Sequence, residues 1–209
     1  MITEAYYHQY FNALLSGDRI TCAEKVERLL DKNIPIYTLY TDLFQRSMYE
    51  VGSLWEENKI SVAVEHLTTS ITESLLALVY PKLFSAAHKN RSIVVSCSAN
   101  EYHQIGAKMV ADVFELNGWH GYFLGANTPI NDLITYIDHK KPDIVGLSLS
   151  IYFNLPLLSK IIDNININFP HQDILVGGQA FRWGGKEELN EKKNVLYLES
   201  LEKIAQVAE

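Results

Sequence analysis

The residues whose types and spacing could do chemistry are concentrated in the second half of this 209-residue chain. One segment contains Glu101, His103 and Gly106 in the pattern Glu-x-His-x-x-Gly. A neutral imidazole can bind a transition metal through one ring nitrogen when a nearby carboxylate orients the other. The Glu101–His103 pairing suits metal ligation, and Gly106 would allow a ligand to approach the backbone closely. Taken alone, His103 is also compatible with an ordinary surface histidine at a helix start.

Two further segments carry small polar residues and glycine. Ser148 and Ser150 form a Ser-x-Ser pattern, and Gly177 and Gly178 are adjacent. Ser148 can donate a hydrogen bond to a ligand, and the paired glycines would leave room for a bulky group. The predicted secondary-structure elements that precede these three segments indicate where the segments lie in the fold.

From residue 92 onward, short apolar runs alternate with helical periodicity. The pattern predicts strands at residues 92–98, 121–124, 144–148, 174–176 and 195–198, and helices at 103–117, 129–139 and 155–166. Alternating elements with nearly continuous apolar strands are typical of a doubly wound parallel sheet of the Rossmann or flavodoxin-like kind. Ligands in such folds bind beyond the carboxyl ends of the strands. All three polar segments follow predicted strands at that edge.

The first 88 residues show only helical periodicity, in apolar stripes that predict a four-helix bundle. Breaks at 16–18, 31–35 and 58–59 separate the helices, Ser61 suits the N-cap of the last one, and Pro81 should kink or end it. We therefore predict two domains, a helical cap at 1–88 and an α/β domain at 92–209, with residues 88–91 as a linker.

Two common functions of an α/β domain of this size are disfavoured. A phosphoacceptor receiver needs an Asp at the end of its third strand, where this chain has Ser148 and Ser150. A dinucleotide-binding domain needs Gly-x-Gly-x-x-Gly after its first strand, and that pattern is absent from the sequence.

The combination Glu101-x-His103-x-x-Gly106, Ser148-x-Ser150 and Gly177-Gly178 resembles the signature of base-off/His-on cobalamin-binding domains, Asp-x-His-x-x-Gly, Ser-x-Leu and Gly-Gly. The resemblance implies that His103 is the lower axial ligand of cobalt and that the displaced nucleotide tail passes the serine and the glycines. Two residues depart from the pattern. Glu101 replaces Asp, and its extra methylene could loosen the contact with His103; Ser150 replaces Leu, which changes the packing around the tail.

The helical region carries a second motif, Trp55 followed by nine residues and then Glu65-His66. This spacing resembles the Trp-x9-Glu-His motif in the cap of light-sensing cobalamin-dependent repressors of the CarH type. The resemblance implies that Trp55 shields a bulky upper ligand such as 5′-deoxyadenosyl, that Glu65 accepts hydrogen bonds from it, and that His66 orients Glu65 or contacts the ligand. Some members have a histidine directly after the tryptophan, which can bind cobalt after illumination; this chain has Glu56 there.

Composition disfavours two classes of binding partner, nucleic acids and membranes. The formal net charge is −7, and the basic residues form only short pairs, so direct nucleic-acid binding is not expected. No apolar run approaches the ~20 residues of a membrane span and no signal peptide is recognisable, so we expect a cytoplasmic protein that does not bind membranes. The chain begins with the bundle, where the CarH-type family has a DNA-binding module. Cys22 and Cys97 are predicted to be buried apolar residues, not a disulfide.

Three functions remain compatible with the sequence. The first is a non-catalytic sensor that binds adenosylcobalamin, responds to light, and signals through a protein partner or a change in homo-oligomerisation. The second is the corrinoid methyl carrier of a methyltransferase system, working with methyltransferase subunits and loaded with methylcobalamin or hydroxocobalamin. The third is a scaffold or antirepressor that responds to cobalamin without light. A stand-alone mutase or methyltransferase is disfavoured, because no residues remain for a substrate barrel.

Overall fold

A computed structural model describes residues 1–84 and 86–209. The chain divides into two compact units, Met1–Leu83 and Phe84–Glu209. This division lies earlier than the predicted end of the cap at residue 88. Residues 88–91 belong to the second unit, where the Lys89 N–H donates to the Gly118 carbonyl and the His88 ring stacks on His120.

The helical unit contains the predicted helices. They are α1 (Glu4–Ser16), α2 (Arg19–Asp31), a third helix made of α3 (Ile36–Leu39), a π-helical segment (Tyr40–Gln45) and α4 (Arg46–Glu56), and α5 (Val62–Leu83). The π-helical segment was not predicted, because its buried Tyr40, Leu43 and Phe44 keep an apolar spacing that an α-helix would also give.

Side chains fix the helix starts as local chemistry requires. Thr3 accepts the Tyr6 N–H at the start of α1, and Asp18 accepts the Thr21 N–H at the start of α2. The Ser61 hydroxyl accepts the Val64 N–H, which confirms Ser61 as the N-cap of α5. Pro81 lies inside α5, which ends two residues later at Leu83.

Helix α5 is the most apolar helix of the unit. By length and composition alone, its 22 residues could cross a membrane. Of the apolar 18-residue stretch within it that meets this criterion, 33% is buried. One face, which includes Ile71, Leu75 and Val79, packs in the bundle, where α5 contacts α1, α2 and α4. Burial of that face accounts for much of its apolar composition.

The second unit is built on a parallel sheet. Its strands are β1 (Ser92–Cys97), β2 (His120–Phe123), β3 (Ile144–Ser148), β4 (Asp173–Gly177) and β5 (Val195–Tyr197), in the order β2-β1-β3-β4-β5. The helices are α6 (Ile105–Leu116), α7 (Ile130–Lys140), α8 (Leu155–Asn168), α9 (Lys186–Asn190) and α10 (Leu201–Ala208). The predicted doubly wound parallel fold is confirmed; α10 was not predicted.

The core shows how the sheet is covered. Apolar side chains of α7 and α8 pack with Val94, Val145 and Ile174 in one cluster, whereas α6 contacts β1, β2 and α10. The chain leaves β1 toward one edge through β2 and returns to the other side of β1 as β3. The loops after β1 and β3 therefore flank the topological switch point, where this fold class binds its ligands.

Candidate functional site

The loop after β1 holds a buried carboxylate against an exposed imidazole. One Glu101 oxygen, Oε1, lies 2.5 Å from His103 Nδ1 and also accepts the His103 backbone N–H at 3.0 Å. The Glu101 side chain is fully buried, whereas the His103 side chain is 49% exposed. The longer Glu101 side chain therefore keeps the contact with His103, and the imidazole has a fixed orientation.

The other Glu101 oxygen reaches the loop after β3. Oε2 accepts the backbone N–H groups of Ser150 at 2.7 Å and Ile151 at 2.9 Å. Four donors thus surround one carboxylate, and they come from the loops on both sides of the switch point. The sequence motif does not reveal these two contacts, because backbone N–H groups leave no trace in residue identity.

The ionisation of Glu101 follows from this environment. Burial by itself raises the pKa of the Glu101 carboxyl. Hydrogen bonds from the His103 ring and from the backbone N–H groups of His103, Ile151 and Ser150 together lower the pKa by more than burial raises it. The net pKa lies below the usual value of a glutamate. Glu101 is therefore a carboxylate at neutral pH and acts as a hydrogen-bond acceptor toward His103 Nδ1.

Asparagine and glutamine side chains join the surrounding loops. The Asn100 N–H donates to the Asn127 side-chain oxygen, and the Asn154 side chain donates to the Asn100 carbonyl. The Ala126 N–H donates to the Gln104 side chain. Asn100 and Asn127 adopt positive φ, a conformation that asparagine tolerates. These residues were missed in the sequence, although asparagines directly after predicted strands are a usable turn signal.

The serines of the second segment lie on either side of Leu149. Ser148 is the last residue of β3, is partly buried, and its carbonyl accepts the Ser98 N–H at 3.0 Å. Ser150 meets Glu101 through its backbone N–H. Gly106 lies in the first turn of α6, and a Cβ there would meet no protein atom within 4 Å. Its position is open to an approaching ligand.

The paired glycines have a role in the packing of the backbone that the sequence did not predict. At Gly178, with φ +119°, a Cβ would lie 2.0 Å from the Leu149 carbonyl oxygen. At Gly177 a Cβ would lie 2.9 Å from the Leu198 carbonyl oxygen. The space that these glycines leave at their Cβ positions is thus taken by the protein's own backbone, and Gly178 allows the loop after β4 to cross the loop after β3.

Cys97 is the last residue of β1 and precedes the loop that contains Glu101 and His103. Its side chain is buried, with Sγ 3.8 Å from the His103 carbonyl oxygen. Burial, with a contribution from the Glu101 charge, raises the pKa of the Cys97 thiol to about 12. The thiol is therefore protonated and unreactive at neutral pH, in agreement with its predicted packing role.

The helical unit exposes its motif tryptophan. Trp55 lies in the last turn of α4 and is 47% exposed, although its spacing also fits the apolar stripe of the bundle core. A tryptophan that stabilised only the core would be largely buried. The connection from Glu57 to Ser61 is short, so Trp55 and the first turn of α5 lie at the same end of the unit.

Glu65 and His66 occupy that first turn of α5. The Glu65 carboxylate accepts the Thr69 hydroxyl at 3.1 Å and lies 3.5 Å from His66 Nε2. Glu65 is largely covered, whereas His66 is exposed. The predicted orientation of Glu65 by His66 is thus geometrically available.

Exposed apolar side chains also surround the carboxyl edge of the sheet, and the sequence did not single them out. Tyr102 is 66% exposed, Phe153 is 91% exposed, and Ile151 and Tyr152 are partly exposed. Ile151 supplies one of the two amides that bind Glu101, and Tyr152 and Phe153 follow it in the chain. Exposed aromatic residues beside an oriented histidine favour a ligand with extensive apolar surface.

The class of protein follows from comparison with family models. Residues 91–197 match a B12 binding domain, and residues 6–80 match a second B12 binding domain model. The chain therefore belongs to the B12-binding domain family and is a cobalamin-binding protein.

The relatives of this chain include a transcriptional repressor and a corrinoid protein. The HTH-type transcriptional repressor CarH of Myxococcus xanthus is 28% identical over 141 residues, which cover 65% of this chain and 46% of the repressor. Dimethylamine corrinoid protein 3 of Methanosarcina acetivorans is 23% identical over 151 residues, covering 69% of this chain and 68% of that protein. The chain thus spans less than half the length of this repressor.

A solved structure matches the fold of this chain over nearly its whole length. The Methanosarcina barkeri monomethylamine corrinoid protein superposes with a TM-score of 0.84, at 15% identity, covering 98% of this chain and 97% of that one. At this identity the likeness establishes the fold alone. The residues present fit a cobalamin: an oriented, half-exposed histidine, an open position at Gly106, and an apolar rim at the ligand-binding edge of the sheet.

Gly178→Ala tests the backbone crossing. The substitution should lower the free energy of unfolding of the cofactor-free protein by at least about 2 kcal/mol, because its φ is nearly restricted to glycine and Leu149 blocks the Cβ. Gly106→Ala is the matched control and should leave stability unchanged or raise it by up to about 1 kcal/mol, since it lies in an open helical position. Urea unfolding measures both; equal effects would contradict the assignment.

His103→Ala tests the predicted cobalt ligand. We expect at least ~10-fold weaker cobalamin binding and loss of the base-off/His-on absorption spectrum, because the variant lacks the coordinating nitrogen. His139→Ala, an exposed histidine at the end of α7, should bind as the unmodified protein does. An unchanged His-on spectrum in His103→Ala would refute the lower ligation.

Proposed function

We propose that this chain is a non-catalytic regulatory sensor that binds adenosylcobalamin, responds to light, and signals through a protein partner or a change in self-association. The observation that carries the proposal is the exposed Trp55, followed at the predicted spacing by Glu65 and His66. Similarity to a relative named as a transcriptional repressor supports the regulatory class. We propose that it acts in the cytoplasm and does not bind nucleic acid or membranes directly.

The lower-face chemistry is assigned to the second unit. His103 would bind cobalt through Nε2, because Glu101 holds Nδ1 at 2.5 Å and fixes the ring orientation. Gly106 would allow close approach to the backbone. Ser148, Ser150, Gly177 and Gly178 would line the path of the nucleotide tail, with the two glycines acting by shaping the backbone of that path.

The upper-ligand chemistry is assigned to the helical unit. The indole of Trp55 offers an exposed aromatic face to an adenine, and the Glu65 carboxylate can accept hydrogen bonds from adenosyl hydroxyl or amino groups. Thr69 and His66 keep that carboxylate oriented. This set favours adenosylcobalamin over the smaller methylcobalamin or hydroxocobalamin.

Bound adenosylcobalamin supplies a cobalt–carbon bond that light cleaves. The residue after Trp55 is Glu56, so this position provides no second imidazole for the cobalt after illumination. His103 would therefore be the protein's cobalt ligand in darkness, and residue 56 would not bind cobalt through an imidazole after illumination.

A corrinoid methyl carrier is the second candidate. Its specific support is the sequence similarity to a dimethylamine corrinoid protein, which covers 69% of this chain and 68% of that protein. A carrier would exchange methyl groups with methyltransferase subunits. A light-independent scaffold or antirepressor would use the same cobalamin site and differs from the sensor only in its response to light.

Illumination separates these functions. The protein loaded with adenosylcobalamin in the dark should give a His-on spectrum that converts under green light, with a changed elution volume in size-exclusion chromatography or changed retention of a partner. The same protein loaded with hydroxocobalamin is the control and should show no light response. Spectral conversion without any change in assembly or partner binding would favour the carrier or the scaffold.

Trp55→Ala tests the upper-ligand assignment. The ratio of dissociation constants for methylcobalamin and adenosylcobalamin, measured in the dark, should fall about 2- to 10-fold, because the variant loses an aromatic contact with the adenosyl group. Tyr80→Ala removes another exposed aromatic side chain from the same unit and should leave the ratio unchanged. An unaltered ratio in Trp55→Ala would assign the tryptophan a structural role only.

A further inference from the structure

The contacts of Glu101 extend beyond the orientation of a metal ligand. Its two oxygens have separate partners: Oε1 binds the ring and backbone N–H of His103, and Oε2 binds the backbone N–H groups of Ser150 and Ile151. The two sets of donors lie about fifty residues apart in sequence and meet at this carboxylate. We propose that Glu101 is a positioning residue that couples the orientation of His103 to the conformation of the segment Ser150–Asn154.

The coupling depends on the length of the Glu101 side chain. Contacts between a carboxylate and the N–H two residues later are local, and an Asp at position 101 could make them as an Asx turn. Reaching Ser150 and Ile151 as well requires the carboxylate to span the switch point between the loops after β1 and β3. The methylene that distinguishes Glu101 from the Asp of the cobalamin-binding signature provides this reach.

The segment held by Oε2 is exposed at its tip. Ile151 enters a 3-10 turn, Tyr152–Asn154, in which Phe153 is 91% exposed. The Asn154 side chain donates to the Asn100 carbonyl, next to Glu101 in the chain. The anchors that connect this turn to the His103 loop therefore lie at Asn100 and Glu101, and a displacement of the Glu101 carboxylate moves both the imidazole and the start of the turn.

The coupling through Glu101 would regulate the cobalamin site, an inference that rests on the proposed binding of cobalt by His103. A change in ligation at His103 would shift Glu101 and alter the order of the exposed turn, and a ligand that fixes the turn would in return favour one orientation of His103. Such reciprocity is a thermodynamic requirement of coupled sites. Glu101 thus links the metal ligand to a surface segment through four hydrogen bonds.

Glu101→Asp separates the two sets of contacts in the cofactor-free protein. The shorter side chain should keep the local contacts with His103 and lose those with Ser150 and Ile151. Hydrogen exchange at the Ser150 and Ile151 amides should accelerate ~10-fold or more, because two charge-assisted hydrogen bonds are lost. Glu115→Asp is the matched control: Glu115 accepts the Gly121 N–H elsewhere in the same unit, and exchange at residues 150 and 151 should not change.

The cofactor-loaded form supplies the readout that a purely structural role would not give. Glu101→Asp should retain the His-on spectrum, while its cobalamin affinity falls about 3- to 10-fold because the turn is no longer preordered. Slow exchange at Ser150 and Ile151 in this variant, or loss of the His-on spectrum together with fast exchange, would overturn the separation of the two contacts.

His103→Ala in the absence of cofactor tests the coupling from the other side and covers the case in which Glu101→Asp does not fold. His103 and the amides of Ser150 and Ile151 bind different oxygens of Glu101. Removal of the imidazole should nevertheless accelerate exchange at those amides several-fold, because Oε1 loses its ring contact and the carboxylate is less constrained. Unchanged exchange would contradict the coupling. Because this experiment contains no cobalamin, its failure is distinguishable from a failure of the proposed ligation.

Discussion

The arrangement of the site depends on the hydrogen bonds that the buried Glu101 carboxylate accepts. A buried charge is strongly unfavourable unless hydrogen bonds compensate it, and here four donors from two loops do so. The same bonds orient His103 and hold Ser150 and Ile151. Stabilisation of the buried charge and organisation of the loops around His103 are therefore one physical requirement.

The fold makes this carboxylate possible. In the order β2-β1-β3-β4-β5, the chain leaves β1 and β3 toward opposite edges of the sheet, and this fold class binds its ligands at such a switch point. Glu101 joins the loops after β1 and β3, and Gly178 allows the loop after β4 to lie against the Leu149 backbone. Gly178 thus fixes the approach of the loop after β4 to the backbone of the loop after β3.

Much of the architecture could be predicted from the sequence, because apolar periodicity and strand-end residues are local signals. The strands and the main helices followed from that periodicity, as did the position of the His103 loop beyond a strand end. The π-helical segment at Tyr40–Gln45, the reach of Glu101 to Ile151 and the role of Gly178 did not, because each depends on contacts between backbone groups or on spacing that two helix types share. Helix α10 was missed although Leu201 and Ile204 carry an amphipathic pattern.

The central claim is that His103 binds cobalt in this protein, and electron paramagnetic resonance tests it most directly. The protein would be loaded with cobalamin, reduced to the cobalt(II) form, and compared with a sample in which the histidines carry ¹⁵N. Ligation by His103 predicts that the nitrogen superhyperfine triplet becomes a doublet on labelling, and that this change disappears in His103→Ala. A triplet that persists in the ¹⁵N-histidine sample would show that the axial nitrogen comes from the cofactor's own base and would contradict the account.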